Sequence, residues 1–111
     1  MAYKSITPVK LGQASITTGV TTLYTVPAIT KTFLKEFSIA NTTGAAINVR
    51  VFLVPSAGTA GTSNAFMYDV AIPANTTIQY NGIQIMDATE TIQIQASGAG
   101  LTITASGAEA I

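Results

Sequence analysis

The chain of 111 residues contains no cysteine and no histidine. Their absence rules out a disulfide framework, a Ser-His or Cys-His catalytic pair, and a zinc site built from the usual ligands. A Ser-Lys nucleophile has no support either, because no Ser-x-x-Lys spacing occurs. Charge is scarce: only 9% of residues are Asp, Glu, Lys or Arg, against roughly 25% in ordinary globular domains. The five cations, Lys4, Lys10, Lys31, Lys35 and Arg50, are scattered. They form no basic patch of the kind that drives nucleic-acid affinity, so nucleic acid is not an expected partner. Long apolar runs are missing too. "MAYKSITPVKLG" has no hydrophobic signal-peptide region and no stretch approaches a membrane-spanning helix, so no membrane partner is expected and synthesis is expected in the cytoplasm.

What the chain does have is 48% hydrophobic residues, formal net charge +0 and threonine as its commonest residue. Its length suits one domain with one core. Near-zero net charge favours association over dispersal. The apolar periodicity is two almost throughout, and no segment shows a helical stripe. "TTLYTVP" reads as a strand ended by Pro27. "TFLKEFSIA" places Phe33, Phe37 and Ile39 on one face, interrupted by Lys35, which is expected near a strand end. In "AINVRVFLVP", Ile47, Val49, Val51 and Leu53 alternate with Asn48, Arg50, Phe52 and Val54. The apolar turn of the second face predicts cover on both sides, with another chain a candidate for that cover.

"AFMYDVAIP" predicts Phe66, Tyr68, Val70 and Ile72 inward, and Asn81-Gly82 reads as a bulge or corner. "ETIQIQAS" and "LTITASG", joined by "GAG", are expected to pair as a hairpin. The sum is an all-β chain: an antiparallel two-sheet β-sandwich of about eight short strands, jelly-roll or immunoglobulin-like. Residues 1–9 are assigned to an N-terminal arm and 10–111 to the sandwich domain.

Features that suggest chemistry have plainer readings. The sequons at Asn41 and Asn75 read as turns. In "MDATE", Asp87 and Glu90 are too few carboxylates for a calcium cage, and a turn in which Asp87 bonds its own backbone is expected. "SAGTAGTS" and "SGAGLT" lack the lysine of a phosphate loop. Neither a cofactor, a metal nor an enzymatic activity is predicted. Thr, Ala, Gln and Asn instead permit close neutral contact between subunits without burying charge, as a repeated assembly requires.

The runs "TTLYTVPA", "IANTTGAAINVRVFLVPSAGTA", "YDVAIPANTTIQYNGIQIMDATETIQIQAS" and "ITASGAE" resemble a group of small β-rich virion structural proteins of tailed bacteriophages. The resemblance spans about Leu23 to Glu109. It departs at Val26-Pro27-Ala28-Ile29, where such proteins usually read "VPAG", so a glycine expected at a turn is missing. It departs again at "DATE", where a Gly-Asp turn is usual. The resemblance implies a structural role in the virion. Within that role the expectation is a capsid decoration or cement protein that binds the outside of the shell, partnered by the major capsid protein or other virion proteins and forming a homo-oligomer such as a trimer. A tail, neck or fibre-associated module and a carbohydrate-binding adhesin are the alternatives. The contacts expected are the arm, Ala2, Tyr3, Lys4, Ser5, Ile6, Thr7 and Pro8, and the loop Pro55, Ser56, Ala57, Gly58, Thr59, Ala60 and Gly61, which runs on to Asn64.

Overall fold

Alternating side chains bury one face of a strand and leave the other to solvent, so two such sheets stacked face to face share one core. The computed structural model, which describes residues 5–111, realises this with eight strands. They are β1 (Ile6–Ile16), β2 (Thr21–Thr25), β3 (Lys31–Asn41), β4 (Ile47–Val54), β5 (Ala65–Ile72), β6 (Thr76–Met86), β7 (Thr91–Ala96) and β8 (Leu101–Ala110). One sheet has the order β1-β8-β3-β6 and the other β2-β7-β4-β5, with every pair antiparallel. Only β4 and β5 are neighbours both in sequence and in a sheet; every other connection crosses between sheets. That is the jelly-roll arrangement rather than the immunoglobulin one.

The core is aliphatic, with Leu34, Ile39, Val49, Val51, Ile72, Ile92, Ile94 and Ile103 all buried between the sheets. Phe37 anchors an aromatic cluster at one side, stacking on Tyr80 at 5.3 Å and meeting Phe66 edge-on at 6.1 Å. Burying the Phe37 ring contributes about 2 kcal/mol relative to exposure, and the half-buried Phe66 and Tyr80 rings contribute less.

At one end, Asn41 is 2% exposed and its side chain organises two turns. Its amide donates to the carbonyls of Ala45, Ile72 and Pro73, while its oxygen accepts from the backbone N–H and hydroxyl of Thr43. Asn75 takes a left-handed φ of 54° in the adjoining turn. Asn75 is thus a turn residue as read, whereas Asn41 is the last residue of β3 and orders the adjoining turns through its side chain.

Several expectations need correction. β7 and β8 do not form a hairpin: β7 lies between β2 and β4, and β8 between β1 and β3 in the opposite sheet. Within the arm assigned to residues 1–9, Ile6, Thr7 and Pro8 belong to β1 and pair with Ala110, Glu109 and Ala108. Pro8 is tolerated there because β1 is an edge strand, where a missing N–H breaks no ladder. Lys35 sits within β3, as a bulge between Leu34 and Glu36, and this extra residue puts Phe33 on the face opposite Phe37. Phe52 and Val54 are buried within the single chain; the segment 55–64, ending in a 3₁₀ turn at Thr62–Asn64, lies against β4. Tyr68 is 45% exposed rather than inward, because Tyr68 and Asp69 together oppose the single residue Arg50 in a second bulge.

Candidate contact surface

The outer face of the β2-β7-β4-β5 sheet is polar and its groups are matched. Arg50 makes a two-pronged ion pair with Asp69, Nε to Oδ1 at 2.7 Å and Nη2 to Oδ2 at 3.2 Å, while its guanidinium lies 4.2 Å from the centre of the Tyr68 ring. The pairing holds the Asp69 carboxyl below its ordinary value and lifts the Arg50 guanidinium. Gln95 donates to the Thr18 carbonyl beside it. The shallow cleft between Asn48, Arg50, Asp69 and Ser97 offers no free carboxylate to act as a base. Among the described residues no three His, Cys, Asp or Glu side chains cluster as a metal site.

The outer face of the β1-β8-β3-β6 sheet differs along its length. Towards the Asn41 end it carries Ser38, Ala40, Thr102 and Thr104, small and mostly polar. Towards the other end, Pro8, Ala108, Phe33 and Ile85 stand in register on all four strands, forming one apolar row. Ile6 and Ile83 flank the row. Ile6, Ile83 and Ile85 are 64%, 57% and 53% exposed. Together these side chains line a groove of about 520 Å³.

A line of bulges separates the two halves. Leu11 is the extra residue on β1, Lys35 the extra residue on β3, and Gly82-Ile83 the pair that opposes Lys35 on β6. The bulge read at Asn81-Gly82 lies one residue further on, at Gly82-Ile83, with Asn81 in register with Glu36. Gly107 makes the crossing possible, since a Cβ there would stand 1.9 Å from the Phe33 carbonyl oxygen.

The apolar end of the sheet is also where the β2–β3, β4–β5 and β6–β7 connections meet. Of the expected contacts, Ala2, Tyr3 and Lys4 lie outside the described residues. Ser5 exchanges backbone hydrogen bonds with Ile111 at 3.1 and 3.0 Å. Ile6, Thr7 and Pro8 are exposed on β1, as are Pro55, Ser56, Ala57, Gly58 and Thr59 on the loop, whereas Ala60 and Gly61 are half-buried. The fold therefore brings the two expected contact segments to one end of the sandwich. Asn64 closes the loop, accepting from the Gly61 N–H and donating to the Thr59 carbonyl.

In the β6–β7 turn, the Asp87 carboxylate pairs with Lys31 at 2.6 Å, and the Asp87 N–H donates to Glu90. Asp87 thus does not bond its own backbone as expected. Nearby, Ile29 is 85% exposed at a left-handed φ of 57°. A β-branched residue rarely adopts this conformation. It occupies the position of the glycine missing from "VPAI". Sequence reading did not single out Phe33, Ile83 and Ile85 as contacts, although the I-x-I spacing at Ile83 and Ile85 was available as a signal.

No protein-family model matches the chain, and no curated protein matches it. Solved structures do. The chain is similar to a component of the capsid structure of Helicobacter pylori bacteriophage KHP30, with TM-score 0.60, 10% identity and coverage of 99% of this chain and 90% of that one. A chain of the Bacillus endospore appendages, described as disulfide-linked pili, gives TM-score 0.56 and 14% identity over 99% and 93% of the two chains. A chain of infectious bursal disease virus, Gx strain, gives 0.56 and 16% over 96% of this chain. Here the match spans only 32% of that chain. At these identities the likeness shows the fold, a jelly-roll domain found in virus particles and in a pilus.

Proposed function

We propose that this protein is a non-enzymatic structural component of a bacteriophage virion, a decoration or cement protein that binds the outside of the capsid shell and stabilises it. The observation that carries the reading is the near end-to-end similarity, in both directions, to a chain of a phage capsid structure. The surface is consistent with such a role: it combines few charges with an exposed apolar row and an end built from neutral loops. A protein that bridges several capsid subunits gains from each added contact through high effective concentration. The contacts assigned to the assembly, whether to the shell or to a neighbouring copy, are the Ser5–Pro8 and Pro55–Gly61 segments, with Ile29 projecting beside them. The protein acts as a homo-oligomer, made in the host cytoplasm and located in the virion, and the reading needs neither cofactor nor nucleic acid.

A fibre- or tail-associated module is the second reading, favoured by the similarity to a pilus subunit. This chain has no cysteine, so a disulfide-linked version of that assembly is closed to it. The adhesin alternative requires a cluster of exposed aromatics. Among the described residues Tyr68 alone is a markedly exposed aromatic, and Arg50 already stacks on it.

The test is co-sedimentation of purified protein with undecorated capsid shells, preceded by light scattering to fix the oligomeric mass. Saturable binding at a fixed ratio to capsid subunits is the expected result. Protein that stays in the supernatant at all concentrations would overturn the cement reading in favour of the tail module.

A further inference from the structure

We infer that the apolar half of the outer β1-β8-β3-β6 face is a self-association surface, occupied by a second copy of this chain related by a two-fold axis. Nine charged side chains fall within the described residues, and all but two have a partner. Lys10 donates to Gln13, Lys31 pairs with Asp87, Arg50 with Asp69, Glu90 accepts from the Asp87 N–H and Glu109 from Tyr24. The two without a hydrogen bond or ion pair are Lys35 and Glu36, which are adjacent, exposed and opposite in sign. Both lie on the bulge at the border of the apolar row, and Lys35 lines the groove with Phe33, Ile83 and Ile85.

A plus–minus pair beside an apolar row is self-complementary, which is the property an isologous contact demands. A two-fold axis that lies in the interface parallel to the strands keeps every row at its own height. The row Pro8-Ala108-Phe33-Ile85 then stacks on the same row of the second copy, and Lys35 of each copy meets Glu36 of the other. Strands of 11, 10, 11 and 11 residues give the whole face a footprint of roughly 35 by 19 Å at the usual rise and spacing. The apolar half is about half of that, smaller than the ~800 Å² per partner of a standard interface, and suits a weak, reversible dimer. The opposite sheet offers nothing comparable, because its charges are already paired with each other.

Isolated protein without shells is the material for the test, so the outcome is independent of the capsid reading. Sedimentation velocity over a concentration series is expected to show a reversible dimer of twice the 11.4 kDa protomer mass. Ile83→Lys, at an already exposed position, is expected to raise the dimer dissociation constant by about a hundredfold while leaving the circular dichroism spectrum unchanged. Lys35→Glu and Glu36→Lys alone are each expected to weaken the dimer by about tenfold, and the double swap K35E/E36K to restore it. A monomer at every concentration, a closed trimer, or a dimer indifferent to Ile83→Lys would overturn the proposal. So would a double swap no tighter than the single variants.

Discussion

The two sheets of this sandwich share one core but turn different faces outward. On the β2-β7-β4-β5 sheet the bulge at Tyr68-Asp69 is used locally: Arg50, directly opposite, pairs with one bulged residue and stacks on the other. The bulge is closed by the chain's own groups, and the face is fit for water. On the β1-β8-β3-β6 sheet the bulges run across the strands and their charged residues, Lys35 and Glu36, are solvent-exposed beside an apolar row, with no protein partner among the described residues. One irregularity completes a surface and the other leaves it open. The contrast teaches that a bulge by itself does not mark a contact; what marks it is whether the residues it turns outward already have partners.

The strongest way to break the comparison is at Gly107, where the line of bulges passes through a strand with no room for a side chain. Gly107→Ala is expected to destabilise the protein by about 3 kcal/mol or more, read from urea unfolding; a loss below about 1 kcal/mol would mean that the sheet relaxes freely around Phe33. A smaller effect is expected where the sheets are tied together. The Tyr24 hydroxyl on β2 bonds Thr32 at 2.7 Å and donates to Glu109 on β3 and β8. Tyr24→Phe is expected to cost about 1–2 kcal/mol, since Thr32 is fully buried.

The same residue sets an alkaline limit. Burial, with the Glu109 hydrogen bond second, pushes the Tyr24 hydroxyl from 10.0 up to about 12. A group raised in the folded state contributes its stability below its ordinary value and loses it as pH climbs through the raised one. Stability should therefore fall between about pH 10 and 12 in the native protein and fall less in Tyr24→Phe, read from urea unfolding across that range.

Ile29, in the connection between the sheets, gives an effect of opposite sign. Ile29→Gly relieves a left-handed conformation and is expected to raise stability by about 1 kcal/mol while weakening shell binding; if both fall, the strain argument fails. The smallest effect is expected on the polar face. Arg50→Ala should lower Tm slightly near neutral pH. Because the Asp69 carboxyl is depressed in the fold, the difference between native and variant should persist above its ordinary 3.8 and vanish as pH falls through the depressed value. High salt should shrink it as well.

Strand existence was legible in the sequence because alternation and turn residues are local properties. β2 stops just before Pro27 as read, and the bulge read at Asn81-Gly82 lies one residue on, at Gly82-Ile83. Partnership was not legible. "GAG" between two strong strands looks like a hairpin, yet a jelly roll sends its chain from sheet to sheet, and alternation says nothing about which sheet receives it. Phase was lost at the bulges: one extra residue at Lys35 or Asp69 reverses the facing of Phe33 or Tyr68 without changing the pattern around it. The contact surface was half legible for the same reason. Ile6 and Pro8 were named as contacts within the arm, but Phe33 was read on one face with Phe37 and Ile39, and Ile85 was not singled out; only the register sets them in the same row as Pro8.

The pairing of β1 with β8 has a consequence for the protein's manufacture. The strand that sits second in its sheet is the eighth to leave the ribosome, and both β1 and β3 must wait for it. Until residue 110 has emerged, that sheet lacks one of its two inner strands, and Leu11, Leu34 and Ile39 lack part of their cover. Such long-range closure is slow, on the order of milliseconds to seconds. A half-made chain therefore has no finished β1-β8-β3-β6 face to present to any partner until the domain has been translated.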